Sequence, residues 1–260
     1  MPNSSDSENG TSIKGVEKSF RIIESLVELR NPSLTNISSH LGIPKSTVHV
    51  HLQTLEKIGY VVNQEGEYRV GLRFLELGEH ARSHYSVYQT AQNELVDLAN
   101  KTDEAVNIGV IENGERVLIK KLEMSDAVYD NAMTGERTHL HWTALGKAIL
   151  AELEDNQIRS IVEQHGLPRA TENTITDLDE LLEECAQTHS RGYSIEDEER
   201  REGILAVGVP ILDRSTDEVL GSICVSGPKK RLVSSGDIDE SIISAVQSSA
   251  NVIELRCNHY

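Results

Sequence analysis

The amino-acid sequence predicts an α+β protein with two domains, and three features of the chain lead to this prediction. The first is a pair of short amphipathic helices joined by a tight turn within residues 35–59. The second is an alternation of apolar and polar residues directly after them, which is typical of a small β-hairpin. The third is a longer C-terminal part in which strand-like and helical segments are mixed, as in an antiparallel sheet covered by helices. A chain of 260 residues is long enough for two separate cores.

The N-terminal domain is expected to span residues 13–70, after a tail at residues 1–12 that is polar and predicted to be disordered. Its first helix is predicted over residues 13–29, where apolar residues recur at helical spacing. The residues expected on the core side of this helix are Val16, Phe20, Ile23 and Val27. This helix would support the two that follow.

Residues 35–59 have the spacing of a helix-turn-helix. Ile37 and Leu41 lie four residues apart on the first helix, and Gly42 and Pro44 mark the turn. The apolar stripe of the second helix consists of Val48, Leu52, Leu55 and Ile58. Its opposite side is polar or small, as in a recognition helix that enters the DNA major groove. The candidate DNA-binding residues are Lys45, Ser46, Thr47, His49, Val50, Gln53 and Lys57. An ordinary helical hairpin is the alternative.

The residues after this helix favour DNA binding. Tyr60–Val62 and Tyr68–Val70 alternate in polarity on either side of a turn that contains Gly66, a residue that readily adopts positive φ. This pattern predicts a strand, a turn and a strand. A helix-turn-helix followed by such a hairpin is a winged helix, with the wing placed to touch the DNA backbone or minor groove.

The charge of the chain is strongly negative but unevenly distributed. The net charge is −17, which by itself disfavours an approach to DNA phosphates. Residues 1–85 contain 9 Lys and Arg against 10 Asp and Glu, whereas residues 86–260 contain 16 against 32. The predicted DNA-binding domain is therefore nearly neutral. An ordinary acidic surface or a high-salt cytoplasm explains the acidic second domain, and we favour the salt-adapted, halophilic host.

Residues 71–101 are expected to form a helical linker, as one long helix or two. The segment contains no Pro. A helical repeat is kept by Tyr88, Ala91, Leu95 and Leu98. His80 and His84 lie one turn apart, a spacing that suits a metal ion, but no third ligand is nearby in the sequence. Two exposed polar residues are therefore the favoured interpretation.

Residues 102–260 are predicted to form an antiparallel sheet with helices packed on it. The predicted strands are residues 105–111, 117–122, 204–212 and 219–225, and Asn113-Gly114 supplies a strong turn signal between the first two. The predicted helices are residues 143–153, 175–188 and 237–253. Thr143 is the expected cap of the first of these helices.

Several classes of protein are disfavoured by the sequence. The three cysteines are odd in number and far apart, which fits neither a disulfide framework nor a CxxC metal clip and favours a reducing cytoplasm. No apolar stretch approaches the ~18 residues of a membrane span, and because the first ten residues are polar we expect no secretory signal. No GxSxG, HExxH, Walker or GxGxxG motif occurs. We expect no catalytic residues, no metal site and no cofactor, since a role for His139 and His141, which alternate along a predicted strand, would need further ligands.

The order of the motifs resembles one known family from about Ile13 to Ile253. The matching segments are LGIPKSTVHVHLQTLEKIGYV, YRVGLRFLELG, VNIGVIENGERVLI, HLHWTALGKAILAEL, TENTITD, RGYSIEDEERREGILAVGVPI and SICVSGPKKRL. Together they resemble the isocitrate-lyase regulator (IclR) family of transcription factors. The resemblance implies an N-terminal winged helix and a C-terminal GAF-like α/β domain that binds a small-molecule effector. It also implies a homodimer or a dimer of dimers that regulates catabolic genes.

The resemblance further implies an effector site in the C-terminal domain. The candidate effector-binding residues are Thr143, Ala144, Leu145, Glu196, Asp197, Ala206, Cys224 and Ser226. The backbone N–H groups of Ala144 and Leu145 would bind a carboxylate or another polar group, as helix N-termini do. Glu196 or Asp197 would form a polar wall in the acidic turn RGYSIEDEE, for which a solvated turn is the alternative. For Cys224 the alternative is a small core residue.

One position departs from the family pattern. Many members carry Arg directly after the TVH of STVH, where this chain has Val50. An apolar side chain contacts at most a thymine methyl group, whereas Arg reads guanine, so a different operator is expected. His51 replaces the usual leucine, and packing is its expected role.

The function predicted on this basis is a DNA-binding transcriptional regulator of catabolic genes, located in the cytoplasm. Its partners would be double-stranded operator DNA and a sugar, a sugar acid or an organic or aromatic acid that modulates operator binding. The alternative is a metabolite-binding GAF-like module without sequence-specific DNA binding.

Overall fold

The computed structural model describes residues 13–123, 132–234 and 236–258, so that the expected tail at residues 1–12 lies outside the described part. The chain divides into two compact units, Met1–Ala81 and Arg82–Tyr260. No helix of the described ranges has the length and apolar character that crossing a membrane requires.

The N-terminal unit is a winged helix-turn-helix, as predicted. Its elements are helices α1 (Lys14–Glu28), α2 (Leu34–Leu41) and α3 (Lys45–Lys57) and the antiparallel strands β1 (Val61–Gln64) and β2 (Glu67–Val70). Helix α2 starts with a capping box between Ser33 and Asn36 and ends at Gly42, which has a φ of 65°. In the turn between β1 and β2, both Glu65 and Gly66 adopt positive φ. These tight turns keep the connections between the elements short, so that α3 packs close to α2 and to the wing.

The core side of α1 differs from the prediction. Val16, Phe20 and Val27 are 52%, 54% and 60% exposed, so that only Ile23 of the predicted stripe is buried. The buried residues of α1 are Ile22, Ile23, Ser25 and Leu26. Helix α1 thus carries two apolar stripes, about a third of a turn apart, and packs on the unpredicted one. The remaining residues of the predicted stripe, Val16, Phe20 and Val27, form an exposed apolar stripe.

The segment predicted as a linker contains three helices rather than one or two. They are α4 (Arg73–Ser83), α5 (Ser86–Thr90) and α6 (Gln92–Thr102). Ala91, Leu95 and Leu98, which keep the helical repeat, are buried in the core of the C-terminal unit. Their periodicity therefore reflects packing against the sheet.

The C-terminal unit is built on an antiparallel sheet of six strands. In spatial order these are β5 (Arg137–His139), β4 (Glu115–Leu122), β3 (Ala105–Glu112), β8 (Val219–Pro228), β7 (Ile204–Leu212) and β6 (Ser194–Asp197). The remaining elements are α7 (Ala144–Leu150), α8 (Asp155–His165), α9 (Leu178–Arg191), α10 (Lys229–Leu232), α11 (Glu240–Cys257) and the two-residue strands β9 (Val233–Ser234) and β10 (Asp237–Ile238). Helices α5, α6 and α11 share the larger apolar core with the sheet. Helix α7 contacts β3, β7 and β8 and is itself in contact with α9.

The predicted helices of this unit exist, but their ends shift where a side chain caps the helix. Helix α9 starts at Leu178 because the Asp177 carboxylate accepts the N–H groups of residues 179 and 180. Helix α11 starts at Glu240, after the cap Asp239, and the two residues before this cap pair as strand β10. Helix α8 was not predicted. Capping places these boundaries more sharply than apolar periodicity does.

Candidate functional site

Helix α3 presents one buried side and one exposed side. Val48 and Leu52 are fully buried and Leu55 nearly so, whereas Ile58, just beyond the helix, is 44% exposed and does not extend the stripe. Of the candidate DNA-binding residues, Thr47 is half-buried and the others are exposed, namely Lys45, Ser46, His49, Val50, Gln53 and Lys57. A continuous exposed surface on a helix held by its opposite side is the arrangement that major-groove recognition requires.

The position of α3 is fixed at its start and on its flank. The Pro44 carbonyl accepts the N–H groups of Thr47 at 2.9 Å and Val48 at 3.1 Å. The half-buried His51 places its Nδ1 atom 2.8 Å from the Ser19 hydroxyl of α1, in agreement with a packing role. The helix therefore has a defined orientation in the unit.

The tip of the wing is acidic. Glu65 and Glu67 are exposed there, and Arg69 is the neighbouring cation of the same hairpin. Carboxylates next to DNA phosphates are repelled. The tip of the wing therefore carries more negative than positive side chains.

A cavity of about 30 Å³ lies in the C-terminal unit between the sheet and the start of α7. Seven of the eight candidate effector-binding residues line it, namely Thr143, Ala144, Leu145, Glu196, Ala206, Cys224 and Ser226. They come from α7 and its cap Thr143, from the edge strand β6 and from the strands β7 and β8. The antiparallel pairing of β7 with β8 places Ala206 opposite Ser226 at one wall of the cavity.

Asp197 is the exception among these candidates. The segment predicted as an acidic turn continues as strand β6 through Asp197, and successive side chains of a strand point to opposite faces. Glu196 therefore faces the cavity, whereas the Asp197 carboxylate lies 2.6 Å from the Nζ atom of Lys229. An ion pair outside the cavity is the role that the geometry gives Asp197.

The Glu196 carboxylate occupies the N-terminal end of α7. Its Oε2 atom accepts the Ala144 N–H at 3.3 Å, and the Thr143 hydroxyl caps the helix by accepting the Gly146 N–H at 3.0 Å. Burial raises the pKa of Glu196 to about 7, and the Arg200 guanidinium acts in the opposite direction. The Ala144 N–H, which the resemblance assigns to the effector, is thus bound to a carboxylate of the protein itself.

Two buried polar side chains that the sequence analysis did not single out also line the cavity. Arg116 of β4 is 2% exposed, and its Nη2 atom lies 3.6 Å from the Glu136 carboxylate. Burial lowers the pKa of Arg116, and the nearby Arg200 acts in the same direction. Asn107 of β3 is also buried and donates from Nδ2 to the Ser226 hydroxyl at 3.0 Å. Alternation along β4 was the available signal, since it places Arg116 on the same side as the cavity residue Leu118.

A buried ion pair supports the inner part of α7. The Lys147 ammonium group is almost fully buried and lies 2.5 Å from Glu199 Oε1 and 3.7 Å from Glu184 Oε1. Burial raises the pKa of Glu199, while Lys147 opposes this shift. Lys147 thus connects α7 to α9 through Glu184 and to the segment after β6 through Glu199. These ion pairs, together with apolar packing, hold the wall of the cavity in place.

His139 and His141 do not alternate along one strand. Strand β5 ends at His139, and His141 lies in a short 3₁₀ turn, Leu140–Trp142. The His141 Nε2 atom lies 3.1 Å from the Pro168 carbonyl oxygen, and burial lowers the pKa of His141 to about 4. Within the described ranges, no group of three or more His, Cys, Asp or Glu side chains is arranged to hold a metal ion.

The fold and these two sites define a class of protein, a DNA-binding regulator with a winged helix-turn-helix and a separate domain that contains a polar cavity. Two family models match the chain. The IclR helix-turn-helix domain matches residues 15–65, and the bacterial transcriptional regulator IclR C-terminal domain matches residues 79–255. The chain belongs to the IclR family, whose members are transcriptional regulators and not enzymes.

Individual relatives agree with this assignment. The chain is 32% identical over 237 residues to the HTH-type transcriptional regulator KdgR of Escherichia coli. The aligned region covers 89% of this chain and 88% of KdgR. It is 28% identical over 249 residues to the probable HTH-type transcriptional regulator ArcR of Halobacterium salinarum, covering 94% of each. The crystal structure of the Thermotoga maritima IclR superposes with a TM-score of 0.78 at 26% identity, over 95% of this chain and 100% of that one.

Proposed function

We propose that this regulator binds a specific operator through α3 and that a small metabolite in the cavity beside α7 modulates that binding. The observation that carries the proposal is the cavity itself. Buried polar groups in native proteins are nearly always hydrogen-bonded, yet Arg116 and Asn107, two of the residues that line this cavity, have buried side-chain atoms with no hydrogen-bond partner among the described residues. A ligand that binds one state of the domain more tightly than another shifts the equilibrium between them, which is the requirement for a metabolite switch.

The operator contacts that we propose are those of the exposed side of α3. We expect Gln53 and His49, which are exposed on α3, to read base edges, and Lys45, at the start of the helix, to contact a phosphate. Val50 is exposed and apolar, which suits a thymine methyl group. Target genes of carbon-source catabolism are what membership of this family implies.

We also infer that the protein acts in the cytoplasm as a homodimer or a dimer of dimers. The exposed apolar stripe of α1 supports self-association, since such a contiguous stripe on a small domain marks an interaction surface. Cys185, Cys224 and Cys257 form no disulfide with one another, which is consistent with a reducing compartment.

A test of operator binding compares two substitutions on α3, using a gel-shift assay with DNA from upstream of the protein's own gene. We expect Gln53→Ala to weaken specific binding by about 1–3 kcal/mol and to leave weak non-specific binding largely intact. Lys45→Ala should weaken binding to all sequences and flatten its salt dependence.

The matched control is Gln187→Ala, the same change at an exposed position of α9. This variant should bind the operator as the unaltered protein does. Equal losses of specific and non-specific binding in both α3 variants would show that the base-reading side is assigned wrongly. Absence of any specific binding would favour the alternative, a metabolite-binding module without operator recognition.

A further inference from the structure

The middle of the exposed side of α3 is uncharged and has an apolar group at its centre. Val50 is 61% exposed there. Its neighbours on the helix surface, three and four residues away, are uncharged, namely Ser46, Thr47, Gln53 and Thr54. The Lys and Glu side chains of this helix lie at its two ends, namely Lys45, Glu56 and Lys57. A base pair that faces the middle of α3 therefore meets Val50 and uncharged polar groups.

An exposed apolar side chain discriminates between the four bases of the major groove. Guanine presents two acceptors and cytosine an amino donor, and the side chains that read them are those of Arg or Lys and of Asp or Glu. Adenine presents an acceptor and a donor, whereas thymine alone carries a methyl group on this edge. The side chain of Val50 cannot form a hydrogen bond, so contact with any other base would leave a polar group of that base against an apolar surface. The chemistry of this position therefore favours thymine.

The valine side chain is also suited to hold such a contact in place. A β-branched residue in a helix has one strongly preferred χ1 rotamer, so its methyl groups are presented at a fixed position with little loss of rotamer freedom. The helix itself is held from its other side, where Val48 and Leu52 are fully buried. A contact between two small apolar groups depends on a fixed position, because a gap of about 0.5–1 Å forfeits roughly a quarter to a half of the attraction.

The two polar neighbours that follow Val50 differ in the donors that they can offer to a base. The Thr54 hydroxyl donates to the Val50 carbonyl oxygen at 2.9 Å, so its proton is used within the helix. Gln53 is exposed, and its amide forms no hydrogen bond with any described residue. An amide offers donors and an acceptor together, the combination that pairs with N7 and N6 of adenine. Gln53 is thus the neighbour that matches adenine.

We propose that Val50 determines operator specificity by contacting the C5-methyl group of a pyrimidine, which in unmodified DNA is thymine, and that Gln53 reads an adenine in an adjoining base pair. The proposal rests on the proposed function, in which α3 enters the major groove. The group that Val50 recognises is a methyl group and not a hydrogen-bonding edge. The base 5-methylcytosine carries the same group at the same place, so methylation of a cytosine at this position would strengthen binding.

Base analogues test the recognition of the methyl group directly. Binding sites for the full chain are first selected from duplexes of random sequence, and each thymine of the enriched sequence is then replaced by uracil, which lacks only the methyl group. In gel-shift titrations we expect uracil to weaken binding about fourfold at the position that faces Val50, because the burial of one methyl group is lost. At the same position, 5-methylcytosine should bind more tightly than cytosine by a similar factor. The proposal would be overturned if no replacement of thymine by uracil weakened binding.

Substitutions at Val50 test whether the methyl preference belongs to this residue. Val50→Ser removes both methyl groups from an exposed position, so the fold should be kept, and it should abolish the preferences for thymine over uracil and for 5-methylcytosine over cytosine. Val50→Thr, which keeps one methyl group, should retain part of both preferences. The control is Val96→Ser, the same change at a 48% exposed position of α6, which should leave both preferences unchanged. Preferences that persist in Val50→Ser would overturn the assignment.

A change of specificity provides an independent test. Val50→Arg places a guanidinium at this position and should change the preferred base from thymine to guanine in a new selection, and retention of thymine would count against the proposal. Gln53→Ala should relax the adjoining adenine and leave the preference for thymine over uracil unchanged. A selection that enriches no sequence would remove the proposed function together with this assignment. An enriched sequence without any methyl dependence would leave the regulator function standing and remove only the assignment of Val50.

Discussion

Among single residues, the buried carboxyl group of Glu196 gives the C-terminal domain a pH dependence. Its pKa of about 7 exceeds the ordinary value of 4.5, because burial penalises the ionised form. Between these two values the folded state binds more protons than the unfolded state, so the contribution of Glu196 to the free energy of unfolding falls as the pH rises from 4.5 to 7. Above pH 7 the penalty is fully present.

We expect Glu196→Gln, which cannot ionise, to relieve this penalty. Relative to the unaltered protein, the variant should gain on the order of 3 kcal/mol in free energy of unfolding between pH 5 and pH 8. Urea unfolding followed by the fluorescence of Trp142, the sole tryptophan, reports on the C-terminal unit. Glu198→Gln is the matched control, since that half-buried carboxyl pairs with Lys229, its pKa is lowered, and no gain with pH is expected. Parallel pH profiles of Glu196→Gln and the unaltered protein would contradict the expectation.

The cavity was only partly predictable from single residues. Motif resemblance identified seven residues that line it, because these residues lie in segments with recognisable local sequences. Asn107 escaped because it pairs with Cys224 of β8, more than 100 residues away in the chain, whereas the signal for Arg116 was only the alternation along β4. Asp197 was included among the effector-binding candidates because a turn was predicted at this position. The structure continues strand β6 through Asp197, and its side chain therefore points to the face of the sheet opposite to that of Glu196.

Among the elements, α1 shows why apolar spacing alone does not identify a core. Both of its apolar stripes have helical periodicity, and the sequence contains no local signal that decides which one faces α2 and α3. The recognition helix α3 was predictable because its other side is polar, so that only one orientation buries apolar surface. The β3–β4 hairpin was predictable for a different reason, because its turn is marked by Asn113 and Gly114. Both residues adopt the positive φ that the turn requires.

We expect the exposed stripe of α1 to contribute to the proposed dimer. Phe20→Glu places a charge in the middle of this stripe and should shift the protein towards the monomer, as measured by size-exclusion chromatography with light scattering. Arg21→Glu introduces the same side chain at an exposed position outside the stripe and should leave the mass unchanged. A dimer that persists in Phe20→Glu would move the interface to another surface.

For the whole molecule, the concentration of negative charge in the second half of the chain predicts a response to salt. Residues 86–260 carry 16 Lys and Arg against 32 Asp and Glu, so that self-repulsion opposes folding at low ionic strength. Raising KCl from 0.1 M to 1 M shortens the Debye length from about 10 Å to about 3 Å. We expect the thermal unfolding midpoint to rise by about 5 °C over this range. A midpoint that stays constant or falls would indicate an ordinary acidic surface and remove the argument for a salt-adapted host.

The acidic wing tip has a consequence for how such a regulator finds its target. A genome offers on the order of a million or more competing non-specific sites, and proteins with many basic contacts spend most of their time bound to them. With Glu65 and Glu67 exposed on the wing, we expect residence on random sequence to be short. The search would then proceed by frequent release and rebinding rather than by long sliding, and few molecules would be sequestered. A small number of copies per cell would then be enough to keep one operator occupied.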